Sequence, residues 1–246
     1  MKSIAFMGFL VGICLLLVHY ASAGRLQQKR PDSSQSKERW ETRFAATDIT
    51  REPLSDAQKA HSEYFAGYFT GADLPRIQDK LAGFEEDRLR ISAIVDRYTP
   101  VYVSADEYLT KMTEESECVV LGRLLSKTSY LSSDGTFVFS DYTVMVQRTL
   151  KADSGSPAPG RVITVSVPGG VVRIDGVTVS AALTLGLPLE AVSDDVLLFL
   201  KFIPKAGVYG PIYHDATFAI AEGEYRQLRS ESPVTVPIVK LESKFK

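Results

Sequence analysis

Residues 118–153 read CVVLGRLLSKTSYLSSDGTFVFSDYTVMVQRTLKAD, and the period of their apolar positions decides the fold. Cys118, Val120, Gly122 and Leu124 recur every second residue, so they share one face of a β-strand. Val119, Leu121 and Leu125 are apolar as well, which predicts a strand buried on both sides. Ser133-Asp134-Gly135 is a turn signal, and from Phe137 to Leu150 the alternation resumes: Tyr142, Val144, Val146 and Leu150 alternate with Thr143, Gln147 and Thr149. The stretch therefore predicts a long hairpin.

Working outward toward the C-terminus, ADSGSPAPG (residues 152–160) reads as a loop and 162–167 as a strand. Gly169-Gly170 and Asp175-Gly176 are hairpin turns around 171–174 and 177–179. The near-continuous apolar run 196–203 fits a central strand, and two shorter strands are expected near 216–221 and 225–228. Many strands joined by Gly-containing turns predict a closed or nearly closed antiparallel β-barrel over residues 117–229. The tail 230–246 carries Pro233 and Pro237 and is expected to be a loose extension.

Toward the N-terminus, residues 39–116 read as a helical region. Ser55 and Gln58 have the spacing of a capping box before DAQKAHSEYFAGYF, with Gly71 past the end. Ile77, Leu81, Phe84, Ile91, Val95 and Tyr98 are spaced by three, four or seven, which predicts one amphipathic helix of about six turns closed before Pro100. A second box, Ser104 with Glu107, opens a shorter helix through Leu109 and Met112. Helices in one block followed by strands in another mark an α+β chain.

The strings CVVLGRLLSKTSY, FSDYTVMVQRTLKAD and DDVLLFLKF (residues 118–130, 139–153 and 194–202) resemble a recurrent pattern of secreted bacterial proteins. Their layout over residues 117–228 is similar to the OB-like barrel of tissue inhibitors of metalloproteinases and netrin-type modules. The resemblance implies an N-terminal helical segment followed by a mainly antiparallel OB-like β-barrel. Those inhibitors act through an N-terminal cysteine and disulfides, which this chain does not reproduce, so no inhibitory residue carries over.

Chemistry is sparse. The 246 residues include 45% apolar and 24% charged side chains and carry a formal net charge of −2, so nothing draws the chain to nucleic acid. Two cysteines and three scattered histidines do not make a metal centre, and no cofactor or metal is expected. The phosphate-loop, dinucleotide, nucleophile-elbow and H-E-x-x-H patterns are all missing from the sequence. Cys118 starts an apolar strand and is expected to be a buried core thiol. His61 reads as a histidine on the polar face of its helix, and Asp194-Asp195 as an acidic turn. The most site-like segment is GVYGPIYHDATF (residues 207–218), where Tyr209, Tyr213, His214 and Asp215 could form a binding lip or an acid–base pair. These features favour a non-catalytic binding or interaction module, with an extracytoplasmic protein or a small ligand as its partner. A secreted hydrolase with its acid–base site near His214 is the alternative, and a structural envelope protein the third reading.

Location is the clearer signal. Lys2 precedes an uncharged apolar run at residues 4–18, shorter than the roughly 20 residues a membrane-crossing helix needs. Ala21-Ser22-Ala23 then places small residues where a signal peptidase cleaves. Residues 1–23 are thus read as a signal peptide and 24–38 (GRLQQKRPDSSQSKE) as a disordered polar linker. The expected product is an exported protein with no transmembrane span and Cys118 as its one cysteine. Mass spectrometry of the form recovered outside the cytoplasm should find Gly24 as its first residue; an intact Met1 leader on that form would refute the cleavage.

Overall fold

The computed structural model describes residues 46–49, 54–66, 75–93, 104–153, 155–183, 193–213, 216–221, 223–227 and 235–245. All belong to one unit, Glu41–Lys246; the leader and the polar linker lie outside the described residues. The elements in chain order are β1 (Thr47–Asp48), α1 (Asp56–Ala66), α2 (Ile77–Leu81), β2 (Arg88–Ala93) and α3 (Ala105–Glu115). Then come β3 (Cys118–Leu131), β4 (Val138–Ala152), β5 (Val162–Pro168), β6 (Gly170–Ile174), β7 (Val177–Leu183) and β8 (Asp195–Ile203). The chain finishes with β9 (Val208–Pro211), β10 (Thr217–Ala221), β11 (Glu224–Gln227), β12 (Thr235–Pro237) and α4 (Ile238–Glu242). The fold is α+β with strand predominant. Among the described residues no helix is long and apolar enough to cross a membrane.

The β3–β4 hairpin is the longest pairing, and its register explains how one ribbon serves two cores. Three register shifts interrupt β3, after Val119, Leu121 and Leu124, and such bulges add bend and twist. At the second, a Cβ on Gly122 would stand 2.5 Å from Val144 Cγ1 and 3.2 Å from the Met145 carbonyl oxygen, so the strands cross too closely for any side chain. The hairpin turn is tied by Ser132, whose hydroxyl accepts from the amides of Thr136 and Phe137 and donates to Asp134 Oδ1. Burial opposes ionisation of Asp134, but these Ser132 and Thr136 hydrogen bonds outweigh it and hold the carboxyl below its ordinary range.

Eight strands join in the order β12-β11-β10-β8-β3-β4-β5-β9, and β9 pairs again with β8. The pairings β8–β3–β4–β5–β9–β8 thus return on themselves; all are antiparallel except the single β5–β9 bridge, Val165 to Tyr209. Val120, Val144, Val165 and Leu198 from these strands pack as an inner core. The other face of the sheet, with Val119, Leu121, Leu197 and Phe199, packs against Tyr108, Leu109 and Met112 of α3. The C-terminal end of α3 is held by Lys151, whose ammonium donates to the carbonyls of Thr113, Glu114 and Ser116 at 2.8, 3.2 and 2.5 Å. A cation on these orphan carbonyls also complements the helix dipole.

Three expectations are corrected. First, residues 77–98 do not form one helix, so 39–116 is not wholly helical. α2 stops at Leu81, Gly83 takes a left-handed φ of 77°, and β2 follows, parallel to β7. Arg88 and Arg90 are exposed while Ile91 is buried; this alternation of period two prevailed over a helical spacing that the same residues also satisfied. Second, β6 and β7 leave the main sheet. They form a separate sheet in the order β1-β6-β7-β2, around Ile77, Val172, Ile174 and Val179. Their connecting turn is as expected, with φ of 48° at Asp175 and 86° at Gly176, the paired positive values a tight hairpin requires. Third, the tail is packed. β12 pairs with β11, Pro237 sits on that edge strand, and Val236 and Leu241 anchor it in the outer core.

The two sheets meet at Gly170. Ser129 and Ser140 hydroxyls, 2.8 Å apart, lie beneath it, and Ser140 donates to the Gly169 carbonyl. A Cβ on Gly170, whose φ is 152°, would stand 2.2 Å from Ser140 Oγ and 2.7 Å from Ser129 Oγ. Gly170→Ala should therefore lower unfolding free energy by about 2 kcal/mol or more in urea titration. Gly155→Ala, at a positive φ with open space around it, should cost only about 1 kcal/mol; equal effects would show that the crowding is not felt.

Candidate functional site

The segment singled out by its composition runs from the β8–β9 turn to the start of β10. Gly207 closes the turn at a φ of 69°, and β9 then runs back along β8, pairing Val208 with Ile203 and Tyr209 with Phe202. Tyr209 is also the residue that bridges to Val165 of β5. Along β8 the inward positions are Val196, Leu198 and Leu200, and the next step of two is Phe202. Tyr209 packs against the inner core, and Phe202 lies beside it on the solvent side. Their rings lie 5.1 Å apart at 54°, and the Tyr209 hydroxyl reaches toward the Gly155 carbonyl oxygen at 3.5 Å. Burial raises the Tyr209 phenol above its ordinary pKa, with smaller contributions from Cys118 and Glu117.

After Pro211 the chain leaves β8 and returns to it five residues later. The two ends of the excursion are clamped by one residue: the Ile212 amide donates to the Phe199 carbonyl (3.0 Å), and the Phe199 amide donates to the Ala216 carbonyl (3.3 Å). Tyr213 packs against the outer core, and its hydroxyl donates to Glu115 Oε2 at the end of α3. Tyr209 and Tyr213 therefore belong to different cores and do not converge on one site. His214 and Asp215 lie outside the described residues.

Cys118 is where its strand pattern placed it, at 0% exposure in the inner core. Burial, and after it the charge of Glu117, pushes the thiol up to about 12, although a Ser156 hydrogen bond and Lys151 act the other way. A buried thiol raised in this way is protonated at neutral pH and is not an activated nucleophile. Asp195 is also accounted for: both carboxylate oxygens accept from Arg123, at 2.8 and 3.1 Å across the β3–β8 pair. Among the described residues no cluster of His, Cys, Asp and Glu is arranged to hold a metal ion.

His61 departs from its expected place. α1 starts with the reciprocal capping box: Ser55 N–H donates to Gln58 Oε1 and Gln58 N–H to Ser55 Oγ. Yet His61 faces inward at 3% exposure. Its Nε2 lies 3.3 Å from the Ala206 carbonyl oxygen, and its Nδ1 lies 3.2 Å from Asp141 Oδ2, within ion-pair range though off the line of a hydrogen bond. Phe139 meets the ring edge-on at 6.0 Å. Burial alone would depress the imidazole pKa, but Asp141 and the Ala206 carbonyl outweigh it and the value is raised. With both nitrogens facing oxygen acceptors, the ring bridges α1 to β4 and the β8–β9 turn; it is not a base poised on a hydroxyl. Two signals for this were present in the sequence: His61 falls on the helical stripe of Ala57, Tyr64 and Phe65, and Asp141 interrupts a strand of apolar and hydroxyl residues.

No family model matches the chain, and neither a curated protein nor a solved structure does.

The state of Cys118 is directly measurable. Alkylation by a thiol reagent at neutral pH should be at least about 100-fold slower in the native protein than in denaturant, because both exposure and thiolate are lacking. Fast native labelling would overturn the buried placement of this thiol.

Proposed function

We propose that this chain is an exported, non-catalytic binding module built on an OB-like β-barrel. The closed run of pairings supports the barrel: taking β3, β4, β5, β8 and β9 as strands one to five, the ring order is 1-2-3-5-4, with strand three parallel to strand five. The likeness to tissue inhibitors of metalloproteinases and netrin-type modules implies a mainly antiparallel OB-like barrel, and the run of antiparallel pairings is compatible with it. Export rests on the leader, whose apolar run at residues 4–18 is followed by Ala21-Ser22-Ala23.

The observation that carries a binding role is the aromatic end of the inner core. Among the described residues the two exposed large apolar side chains are Phe202, at 39%, and Val162, at 56%. Phe202 is on β8 and pairs directly with Tyr209 of β9, whereas Val162 begins β5, three residues before the Val165 that bridges to Tyr209. An aromatic ring half in water gains roughly 1–2 kcal/mol when a partner covers it. Tyrosine and phenylalanine lose little side-chain entropy on being covered, and aromatic side chains are favoured at interface centres. The partner is an extracytoplasmic protein or small ligand that presents an apolar face to Phe202 and Tyr209.

An apolar fluorescent dye, anilinonaphthalene sulfonate, tests this surface without knowledge of the natural partner. The native protein should bind the dye, and Phe202→Ser should abolish most of the signal with a shift in Tm of no more than about 2 °C, a surface-sized effect. Absence of dye binding by the folded protein, or dye binding unchanged in Phe202→Ser, would remove the observation on which the reading stands.

A further inference from the structure

We propose that His61 and Asp141 form a pH-dependent latch that holds α1 against the β-structure and weakens as the pH rises. The latch stands apart from the binding role and does not need it.

The geometry asks for a charged ring. A neutral imidazole has one N–H, so with Ala206 O at 3.3 Å from Nε2 and Asp141 Oδ2 at 3.2 Å from Nδ1, one nitrogen would turn a lone pair toward an oxygen. The imidazolium carries an N–H on both nitrogens and sets a positive charge within ion-pair range of Asp141, although the Nδ1 N–H is off the line to Oδ2. Asp141 needs that charge as well: its Oδ1 is buried without a hydrogen-bond partner, and the side chain is 14% exposed. A half-satisfied buried carboxylate depends on whatever cation stands beside it.

The other ionisable groups around α1 are engaged elsewhere or face solvent. On the helix itself Lys59 pairs with Asp56 and Glu63 is exposed. On the β3–β4 turn Asp134 is bound by Ser132 and Thr136. On the β8–β9 turn Lys205 is exposed. Among the described residues Asp141 is the charged group that acts on the ring.

Two further ties of α1 are seen among the described residues. Ser62 meets the Ser133 hydroxyl at 3.0 Å and accepts from the Ser133 amide, and Ala60 rests against Ile203, Ala206 and Val208. The His61 pKa is raised in the folded state. The contribution of the latch is therefore complete below the unfolded-state pKa and disappears as pH climbs through the folded-state value. Loss of the proton loosens α1 from β4 and from the β8–β9 turn together.

The test is amide hydrogen exchange of the whole protein across about pH 5 to 9, corrected for the intrinsic rate, alongside NMR titration of His61. Protection of residues 56–66 should fall severalfold as pH rises, up to about tenfold for each unit by which the His61 pKa is raised. Its midpoint should coincide with the His61 titration, while protection in β3 and β4 stays level. His61→Gln should flatten the profile, and Asp141→Asn should lower the His61 pKa in the folded protein. A His61 pKa at or below its ordinary value overturns the latch. So does helix protection independent of pH in the wild type, or a profile that persists in His61→Gln. Because the wild-type titration decides by itself, poor folding of a variant leaves the outcome clear.

Discussion

Strand β8 is bonded along both edges and covered on both faces, and the other elements arrange themselves around that requirement. Val196, Leu197, Leu198, Phe199 and Leu200 are each at 0% exposure. Five consecutive buried residues cannot be served by one core, because successive side chains point to opposite faces. Val196, Leu198 and Leu200 go to the inner core, and Leu197 and Phe199 to the outer one. β3 has the same two-sided character and lies beside it, pairing Cys118 with Leu200 and Gly122 with Val196. The remaining strands, α3 and the C-terminal segment then have two apolar surfaces to cover, which is why a chain with so few helices still uses α3 and the α4 end as lids.

The edge of β8 opposite β3 explains the placing of β9 and β10. Its C-terminal half is taken by β9 and its N-terminal half by β10, both antiparallel. The same edge thus receives two strands in succession, one turning toward β5 and the other toward β11. A chain that changes partner strand there leaves the ladder after Pro211 and rejoins it at Thr217. The ends of this excursion are fixed on Phe199 by two backbone hydrogen bonds. Tyr213 turns to Glu115 on the outer side, while Tyr209, four residues earlier, is held in the ladder at the end of the inner core. Sequence proximity grouped the two tyrosines; the change of partner strand between them sends them apart.

Local signals in the sequence were reliable where the structure is local. Both capping boxes, the Ser133-Asp134-Gly135 turn, the Asp175-Gly176 hairpin and the alternation along β3 and β4 could be read directly, because each depends on neighbours within a few residues or on a single face. What escaped is non-local. β2 has its partner in β7, roughly ninety positions away, and a parallel pair leaves no turn signature between its strands. The spacing of Ile77, Leu81, Phe84 and Ile91 satisfied a helix, and only the pairing decides that Ile91 belongs to a strand. The tail has the same explanation: its prolines weaken a strand, but an edge position tolerates them once Val236 and Leu241 have a core to enter. His61 was missed because a polar residue on an apolar stripe reads as a boundary of the stripe until its carboxylate, on a strand eighty positions away, is known.

The treatment of buried polar groups separates the rigid parts of the molecule from the conditional one. Tyr108 and Gln227 satisfy each other at 2.5 Å between α3 and β11. Ser129 and Ser140 satisfy each other and the Gly169 carbonyl where the sheets meet. Lys151 spends its ammonium on three helix carbonyls. None of these needs a change of protonation within the physiological range, so their contributions are constant there. His61 and Asp141 differ: each has a buried atom without an aligned hydrogen bond, and their attraction exists only in one protonation state. An unmet polar group in a protein interior costs about 1–3 kcal/mol; Ser166 Oγ and Thr217 Oγ1 are unmet as well, but among the described residues the seam whose satisfaction depends on a proton is that of His61 and Asp141. That seam runs under α1, between the helix and the turn leading into Tyr209.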